Sequence, residues 1–202
     1  MKLYYSPGAC SLAPHIVLRE AGLPVELVPA NLKAHQLADG TDYYTVTSKG
    51  QVPLLELDNG ERLSEGPAIV QYLADQVPAK NLAPANGTMA RYRLQEWLNV
   101  ITSELHKGIG GLFNPAMPDD GKAVIRAKAL TKLQWFDKQL EGKQYLMGDS
   151  FSVADPYLFT VTNWTAHTGI DISGLKNLTA FQARMAARPA VQAAMKAEGL
   201  SK

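Results

Sequence analysis

Strand signals are concentrated in the first third of the chain, and this uneven distribution constrains the fold more than any other feature of the sequence. Short apolar and aromatic runs at residues 2–5, 25–28 and 52–57 are separated by breakers and by one helical segment. Beyond about residue 80, strand signals nearly vanish and apolar residues recur at helical spacing. The sequence therefore predicts an α/β domain followed by an all-α domain.

The boundary between the two patterns falls at residues 77–86. This segment contains two prolines and no sustained periodicity, which is typical of a linker. We therefore predict a first domain over residues 1–76 and a helical domain over residues 87–202. A chain of 202 residues is long enough for two compact domains of these sizes.

Composition and charge exclude several classes of protein. Twenty basic residues against nineteen acidic ones leave a formal charge of +1, so the basic excess of a nucleic-acid-binding module is absent. No run of 18 apolar residues predicts a membrane span, and the first residues lack the apolar stretch of a secretory signal. The single cysteine cannot form an internal disulfide, and no metal-ligand cluster or nucleotide-binding glycine motif occurs. We expect a cytoplasmic protein with no metal and no tightly bound cofactor.

Cys10 lies where the first strand gives way to the first helix. Breakers occupy residues 6–8, and helical spacing begins at Leu12. A lone cysteine is often only a small buried hydrophobe. However, the amides and dipole of a helix N-terminus favour the thiolate, which is the reactive form of the side chain. We therefore interpret Cys10 as a reactive cysteine.

The predicted hairpin over residues 52–63 leads into a helix with a polar start. Pro53 is compatible with an edge strand, whose open backbone groups suit an extended, peptide-like ligand. Helix amides beginning at Gly66 can hold a carboxylate, and Glu65 can accept a hydrogen bond from an ammonium group. This start could bind a free amino-acid end. Capping by Ser64 and a favourable dipole interaction of Glu65 explain the same residues equally well.

The first helix of the second domain carries polar groups beside its apolar stripe. Asn99, Thr102 and His106 follow one another at spacings of three and four, which places them on one face. A lone histidine is more often structural than catalytic, and Lys107 would normally be a solvated charge. The glycines within residues 108–111 disfavour a helix, so they indicate a loosened helix end or a close approach of backbone to ligand.

Together these features resemble the glutathione transferases, and more narrowly their bacterial beta class. The resemblance spans the chain and implies a thioredoxin-like first domain with a mixed four-stranded sheet, a helical-bundle domain that forms the second-substrate pocket, and a homodimer. Five motifs carry it, in this order: Ser6-Pro7-Gly8-Ala9-Cys10-Ser11, Gly50-Gln51-Val52-Pro53, Glu65-Gly66-Pro67-Ala68-Ile69, Glu104-Leu105-His106-Lys107 and Ser152-Val153-Ala154-Asp155.

The same resemblance implies that glutathione is a co-substrate and that its thiolate is conjugated to a hydrophobic electrophile. Cys10 would lie beside the glutathione sulfur and could form a mixed disulfide with it, and His106 would be a second catalytic residue. At position 35 the beta class often has a lysine that meets the glycyl carboxylate, whereas this chain has a histidine. The glutathione contacts implied are His35, Gln51, Val52 before a cis Pro53, Glu65, Gly66, His106, Lys107 and Asn99 of the partner subunit.

Other functions remain compatible with the sequence. A cysteine can itself attack a disulfide, so monothiol glutathione-dependent thiol–disulfide exchange is one alternative, and reductive dehalogenation is another. A low-turnover, ligandin-like protein that sequesters apolar ligands is a third. If conjugation does not depend on Cys10, Tyr5 or Ser11 becomes the candidate activator, because other transferase classes use a tyrosine or serine hydroxyl near this end.

Overall fold

A computed structural model describes residues 1–201 of the chain, which pack as two compact units. The first unit contains residues 1–81 together with the chain from Arg188 onward, and the second contains residues 82–187. Among the described residues, no helix is both long enough and apolar enough to cross a membrane.

A five-stranded mixed sheet with the order β3-β2-β1-β4-β5 forms the centre of the first unit. The central strand β1 runs parallel to β2 and antiparallel to β4, with Leu3 opposite Leu27 on one side and Leu55 on the other. Leu3 and Leu55 are fully buried, so the core lies against these middle strands. The strands are β1 (Lys2–Tyr5), β2 (Glu26–Asn31), β3 (Gln36–Leu37), β4 (Leu54–Glu56) and β5 (Arg62–Ser64).

The predicted count of four strands is wrong by one. The additional strand β3 is two residues long and pairs antiparallel with the end of β2, where Ala30 faces Leu37 and Asn31 faces Gln36. Leu37 packs against an apolar cluster around the buried Tyr43. A strand of two residues is too short to show alternation, so the polar segment that contains it gave no strand signal.

Helices account for most of the remaining regular structure. Helix α1 packs against α2 and α9 in the first unit, whereas α3–α8 belong to the second. The α-helices are α1 (Leu12–Ala21), α2 (Gly66–Asp75), α3 (Met89–Val100), α4 (Lys107–Gly111), α5 (Asp119–Gln139), α6 (Ala154–Asn163), α7 (Thr165–Thr168), α8 (Lys176–Ala186) and α9 (Pro189–Ala197).

The last helix, α9, differs in placement from the predicted domain ranges, because it belongs to the first unit. Glu198, just beyond α9, accepts hydrogen bonds from the amide of Gly8 (3.0 Å) and from Nδ1 of His15 (2.8 Å). The side chains of His15 and Glu198 are fully buried. Because a buried carboxylate needs such partners, these contacts fix the C-terminal segment to the loop after β1.

In the second unit, α6 is the central helix, since its residues from Ala154 to Thr162 are all buried. Asp155 lies in its first turn, and its carboxylate accepts from the amide of Leu146 (2.8 Å), the amide of Ser152 (2.7 Å) and the hydroxyl of Ser152 (3.0 Å). Helix α3 continues into a π-helical turn, Ile101–His106, before α4. The glycine-rich segment therefore does end a helix, and the chain leaves helical geometry at Leu112.

Candidate functional site

Cys10 lies half-buried in the loop between β1 and α1, as its sequence context predicted. Its Sγ donates a hydrogen bond to the carbonyl of Val52, at 3.2 Å. The peptide bond between Val52 and Pro53 is cis, in agreement with the resemblance. The fold therefore brings the only cysteine next to the backbone just before strand β4.

The contact with Val52 bears on the ionisation of Cys10. A carbonyl can accept a hydrogen bond only from the protonated thiol, so this contact stabilises the thiol rather than the thiolate. The first amides of α1 already have other acceptors: the amide of Leu12 donates to Ala9 (3.0 Å), and that of Ala13 donates to the carbonyl of Cys10 (3.2 Å). The thiolate expected from the helix N-terminus stays a prediction.

The two alternative activators differ in how their hydroxyls are placed. Burial raises the pKa of Tyr5, and the charge of Glu198 adds to the effect, so Tyr5 is a hydrogen-bond donor at neutral pH. The hydroxyl of Ser11 is fully buried; it donates to the carbonyl of Ser6 and accepts from its amide, both at 3.2 Å. Ser11 therefore closes the loop between β1 and α1.

His35 and Tyr44 form a stacked pair next to the Gln51–Val52 backbone. Their ring centroids are 4.5 Å apart, and the Tyr44 hydroxyl lies 3.3 Å from Nε2 of His35. Both rings lie over Gly50. If a larger residue replaced this glycine, its Cβ would come within 2.5 Å of the Tyr44 ring and 3.0 Å of Nδ1 of His35. Nδ1 is buried and has no hydrogen-bond partner among the described residues. The residue that replaces the expected lysine is thus held by an aromatic neighbour.

Glu65 separates β5 from α2 and has an unusual backbone conformation. Its φ of 71° lies in the left-handed region, which is uncommon for a residue other than glycine. Its carboxylate is 2.6 Å from Nζ of Lys49, and the same Nζ donates to the hydroxyl of Ser64 at 3.0 Å. Strain of this kind is concentrated at functional sites. The ammonium group of Lys49 shows that this carboxylate can bind such a group.

In the second unit, the predicted residues lie along α3, the π-helical turn and α4. Asn99 and Lys107 are exposed, and His106 is half-buried. His106 is surrounded by aromatic rings, since it makes edge contacts with Tyr157 (centroids 5.7 Å apart) and Trp164 (5.0 Å). Its Nδ1 lies 2.6 Å from the hydroxyl of Tyr157. The imidazole of His106 is therefore held by aromatic packing and by a polar contact with Tyr157.

Tyr157 and Tyr44 are the neighbours of candidate residues that sequence reasoning missed. Tyr157 is 51 residues from His106 and lies in the buried helix α6. A buried tyrosine hydroxyl usually requires a polar partner, which is the one signal that could have singled it out. No comparable signal exists for Tyr44, because its role depends on the conformation of a polar loop.

The predicted residues thus form two groups, one in each unit. Cys10, Val52, Pro53 and Glu65 belong to the first group, with His35 and Gln51 close by in the same unit. Asn99, His106 and Lys107 belong to the second group. Across residues 1–201, no cluster of three or more histidine, cysteine or acidic residues has the arrangement of a metal site.

Comparison with known proteins shows similarity along nearly the whole chain. The family model described as "Glutathione S-transferase, N-terminal domain" matches residues 1–75, and the one described as "Glutathione S-transferase, C-terminal domain" matches residues 104–189. The glutathione S-transferase GstA of Escherichia coli O157:H7 is 48% identical over 200 residues, which cover 99% of this chain and 100% of the relative.

Two solved structures extend the comparison to three dimensions. A sphingomonad glutathione S-transferase complexed with glutathione is 48% identical, has a TM-score of 0.96, and matches over 100% of both chains. A bacterial beta-class glutathione S-transferase from Sphingomonas chungbukensis is also 48% identical over 100% of both chains, with a TM-score of 0.97.

Proposed function

Because the chain belongs to the glutathione S-transferase family, we propose that its first unit binds glutathione and that the glutathione thiolate attacks a hydrophobic electrophile. Both family models and the full-length relatives establish this membership. They confirm the resemblance found in the sequence, the thioredoxin-like α/β domain and the helical domain that follows it. The chain is a glutathione transferase of the bacterial beta class.

The hydrogen bond between Cys10 and Val52 is the observation that carries the proposal. An extended tripeptide would pair its cysteinyl backbone with Val52, and Cys10 is 3.2 Å from the carbonyl of that residue. The sulfur of a tripeptide bound there would lie beside Sγ of Cys10. The solved sphingomonad relative contains glutathione, which supports the identity of the ligand.

The γ-glutamyl end is assigned to Glu65 and Gly66. The carboxylate of Glu65 already accepts a hydrogen bond from the ammonium group of Lys49, so the α-ammonium group of glutathione meets a suitable acceptor there. Gly66 begins α2, whose N-terminal amides favour a carboxylate. His35 and Gln51 are assigned to the remainder of the tripeptide, and Lys107 is assigned to its glycyl carboxylate.

The second substrate is assigned to an aromatic surface of the helical unit. Phe113 is 51% exposed, and its ring meets Trp164 edge-on, with centroids 5.9 Å apart. Trp164 in turn contacts His106, which we assign as the second catalytic residue. Exposed aromatic groups bind apolar electrophiles. With a haloaromatic substrate, the S–C bond forms, the halide leaves with its electron pair, and the thiol proton passes to a base and then to solvent.

Thiol–disulfide exchange is the second candidate function, because the half-buried Cys10 can itself attack a disulfide. The Cys10 thiolate attacks the glutathione sulfur of a mixed disulfide between glutathione and another thiol, a protein–glutathione disulfide forms, and the other thiol leaves. A glutathione thiolate then attacks the protein–glutathione disulfide, restores Cys10 and forms oxidised glutathione. A tyrosine or serine at this position could not carry out the exchange.

Calorimetry and turnover of matched variants test the proposal. Wild-type protein should bind glutathione saturably, and Glu65→Gln should bind it roughly tenfold or more weakly, because a charged hydrogen bond contributes about 1.5–3 kcal/mol. Glu61→Gln, an exposed acid in the β4–β5 turn, is the control and should bind normally. Absence of saturable binding in the wild type would disprove the proposal.

The Cys10→Ala variant separates the two reactions. Oxidised glutathione should add one glutathione to the wild-type protein, as measured by intact-mass spectrometry. If Cys10→Ala loses this adduct but still conjugates a chlorodinitrobenzene, Cys10 serves exchange and Tyr5 becomes the candidate activator. If both activities disappear, Cys10 is required for both. Stoichiometric ligand binding without turnover in the wild type would instead support a ligandin-like role.

The assembly and the compartment are further parts of the proposal. Met89 and Tyr92 on α3 are 69% and 56% exposed, and Asn99 is exposed on the same helix. This surface supports a homodimer in which Asn99 of the partner subunit contacts glutathione. Light scattering should give a particle mass of twice the chain mass of 22.0 kDa, and Tyr92→Glu should lower the measured particle mass. The single reduced cysteine supports a cytoplasmic location.

A further inference from the structure

Two opposite charges lie side by side where strand β5 is followed by helix α2, in the first unit. The ammonium group of Lys49 is 2.6 Å from Oε1 of Glu65, and the same Nζ donates to the hydroxyl of Ser64 at 3.0 Å. Lys49 and Glu65 are 16 positions apart in the chain. The carboxylate that we assign to the ammonium group of glutathione therefore already has a positively charged side chain next to it.

The pair formed by Lys49 and Glu65 can separate at little cost in free energy. The side chain of Lys49 is 47% exposed and that of Glu65 is 63% exposed. Exposed ion pairs contribute little to stability, because water screens the two charges and solvates them when they separate. The stem of a lysine is also long and flexible, so its ammonium group can move without any change in the backbone. Lys49 is therefore able to leave Glu65 for another partner.

The first turn of α2 has few amides to offer to a carboxylate. Pro67 has no N–H group. The amides of Ala68 and Ile69 both donate to the carbonyl of Glu65, at 3.0 Å each. The amide of Gly66 is therefore the donor that this turn has available for a ligand. A carboxylate has two oxygens that accept hydrogen bonds, so one amide satisfies it only in part.

Gly66 also lies close to the backbone to which the tripeptide is assigned. A Cβ built on Gly66 would be 4.0 Å from Cγ of Pro53, the residue after Val52. A tripeptide that pairs with Val52 therefore has Gly66, Glu65 and Lys49 next to its γ-glutamyl end. That end has an ammonium group and a carboxylate on one carbon atom. The ligand thus presents two neighbouring opposite charges, as the protein does.

We propose that Lys49 is a further glutathione-binding residue, which binds the α-carboxylate of the γ-glutamyl group together with the amide of Gly66. The α-ammonium group of the ligand takes the place of Lys49 at Glu65, and the released ammonium group of Lys49 turns to the α-carboxylate. Each of the four charges then has a neighbour of opposite sign. This role rests on the proposed function, because it belongs to the same site.

Such a site selects ligands in which the two charges share one carbon atom. The α-linked isomer, Glu-Cys-Gly with an ordinary first peptide bond, contains the same groups as glutathione. Its side-chain carboxylate, however, is separated from its ammonium group by two additional methylene groups. The isomer should therefore bind roughly tenfold or more weakly than glutathione, as expected when one charged hydrogen bond is lost. Equal affinity for the two isomers overturns the proposal.

Calorimetry with two peptides tests which group of the ligand Lys49 contacts. The probes are glutathione and γ-aminobutyryl-Cys-Gly, which differs from glutathione only in lacking the α-carboxylate. Lys49→Met should bind glutathione roughly tenfold more weakly than the wild type does. The same variant should bind γ-aminobutyryl-Cys-Gly at least as tightly as the wild type does, because the partner of Lys49 is already missing from this peptide.

Two other lysine substitutions serve as controls. Lys49→Arg keeps the positive charge and should keep most of the affinity for glutathione. Lys80→Met removes an exposed lysine of the same unit and should bind both peptides normally.

Three results of these titrations contradict the role of Lys49. If Lys49→Met binds glutathione as tightly as the wild type or more tightly, Lys49 only competes for Glu65 and the proposal is overturned. An equal loss of affinity for both peptides also overturns it, because Lys49 would then act without contacting the α-carboxylate. Wild-type protein that does not bind glutathione at all disproves the proposed function, and this role with it.

Steady-state kinetics give a second measurement of the same role. The γ-glutamyl end is remote from the thiol, so Lys49→Met should raise the KM for glutathione roughly tenfold and change kcat little. A lowered kcat with an unchanged KM overturns the binding role of Lys49.

Discussion

The two units fix their candidate residues by different physical means. In the first unit the positions depend on backbone geometry: a cis bond before Pro53, a left-handed Glu65, and a glycine at position 50 that supports two aromatic rings. In the second unit they depend on side-chain hydrogen bonds, such as those made by Tyr157 and Asp155. Backbone conformation thus positions the candidate residues of the first unit, whereas side-chain hydrogen bonds position those of the second.

This difference predicts which kind of substitution each unit tolerates. Backbone-altering changes should be costly in the first unit and harmless in the second, and side-chain changes should show the reverse pattern. The four predictions that follow take one substitution of each kind in each unit.

The largest effect is expected for a side-chain change in the second unit, Asp155→Ala. Its fully buried carboxylate accepts three hydrogen bonds from Leu146 and Ser152, and each donor would lose a charged acceptor. The free energy of unfolding should fall by about 3–4 kcal/mol in urea titrations. Asp149→Ala, an exposed aspartate of the same loop, should change it by less than about 0.5 kcal/mol. If Asp155→Ala and Asp149→Ala lowered the free energy of unfolding equally, the hydrogen bonds of Asp155 would not be what stabilises the second unit.

A backbone change in the first unit, Gly50→Ala, should have the next largest effect. A Cβ would lie 2.5 Å from Cε1 of Tyr44, and the φ of +59° disfavours any L side chain. We expect the free energy of unfolding to fall by about 2–3 kcal/mol, because the backbone is strained and the stacked Tyr44 ring is displaced.

Gly60→Ala separates these two contributions. Its φ is +85° but nothing lies within 4 Å, so it should lose only the strain part, about 1–2 kcal/mol. In the double variant Gly50→Ala/Tyr44→Ala, the clash with the Tyr44 ring is absent. After the effect of Tyr44→Ala alone is subtracted, the remaining loss in free energy of unfolding should be close to that of Gly60→Ala. If the double variant shows no such recovery, Tyr44 does not rest on Gly50 as described.

The corresponding backbone change in the second unit, Gly108→Ala, should be slightly stabilising. Gly108 lies in α4 with no neighbour within 4 Å of a new Cβ, and alanine favours a helix by roughly 0.5–1 kcal/mol over glycine. The midpoint of thermal unfolding should therefore rise while glutathione turnover stays unchanged. Gly110→Ala, whose Cβ would meet Cδ2 of His106 at an ordinary van der Waals distance of 3.8 Å, is the paired variant and should also be tolerated. A destabilised Gly108→Ala would contradict the comparison.

The smallest effect is expected for a side-chain change in the first unit, Glu56→Gln. Burial alone would raise the pKa of Glu56, but hydrogen bonds from Arg62 and Lys2, together with their charges, hold it below its ordinary value of 4.5. A lowered pKa in the folded state means that the stabilisation is present above pH 4.5 and is lost as the pH falls below it. Glu56→Gln should cost less than about 1 kcal/mol at pH 7.

Urea titrations from pH 7 down to pH 3 test whether the stabilisation by Glu56 is lost as the pH falls. The difference between Glu56→Gln and the wild type should shrink toward zero as the pH falls, because the wild-type carboxylate becomes neutral as well. A difference that grows at acid pH would mean that Glu56 is not stabilised as a carboxylate. A large, pH-independent loss would show that side-chain contacts matter in the first unit as much as in the second.

Several features could be read from local sequence because they depend on near neighbours. Breakers followed by helical spacing placed Cys10 correctly at the junction of strand and helix. The change from strand to helical periodicity near residue 80 separated most of the two units. Each of these depends on side chains within about one turn or one hairpin of one another.

The candidate site was only partly predictable. The resemblance implied roles for Cys10, Val52, Glu65 and His106, but it did not indicate which residues contact them. The pairing of Glu65 with Lys49 crosses 16 positions of the chain, and that of His106 with Tyr157 crosses 51. Neither pairing leaves a periodic or compositional trace, because each partner alone resembles an ordinary exposed charge or core aromatic residue.

The sequence by itself therefore determined the class of each half, the location of the single cysteine between the first strand and the first helix, and the family to which the chain belongs. Only the tertiary structure decided that β3 extends the sheet, that α9 packs in the first unit through Glu198 and His15, and that His106 meets the hydroxyl of Tyr157. The physical reason is range. Periodicity reports the burial of one face of an element, whereas a buried carboxylate or imidazole is defined by partners that folding brings from distant parts of the chain.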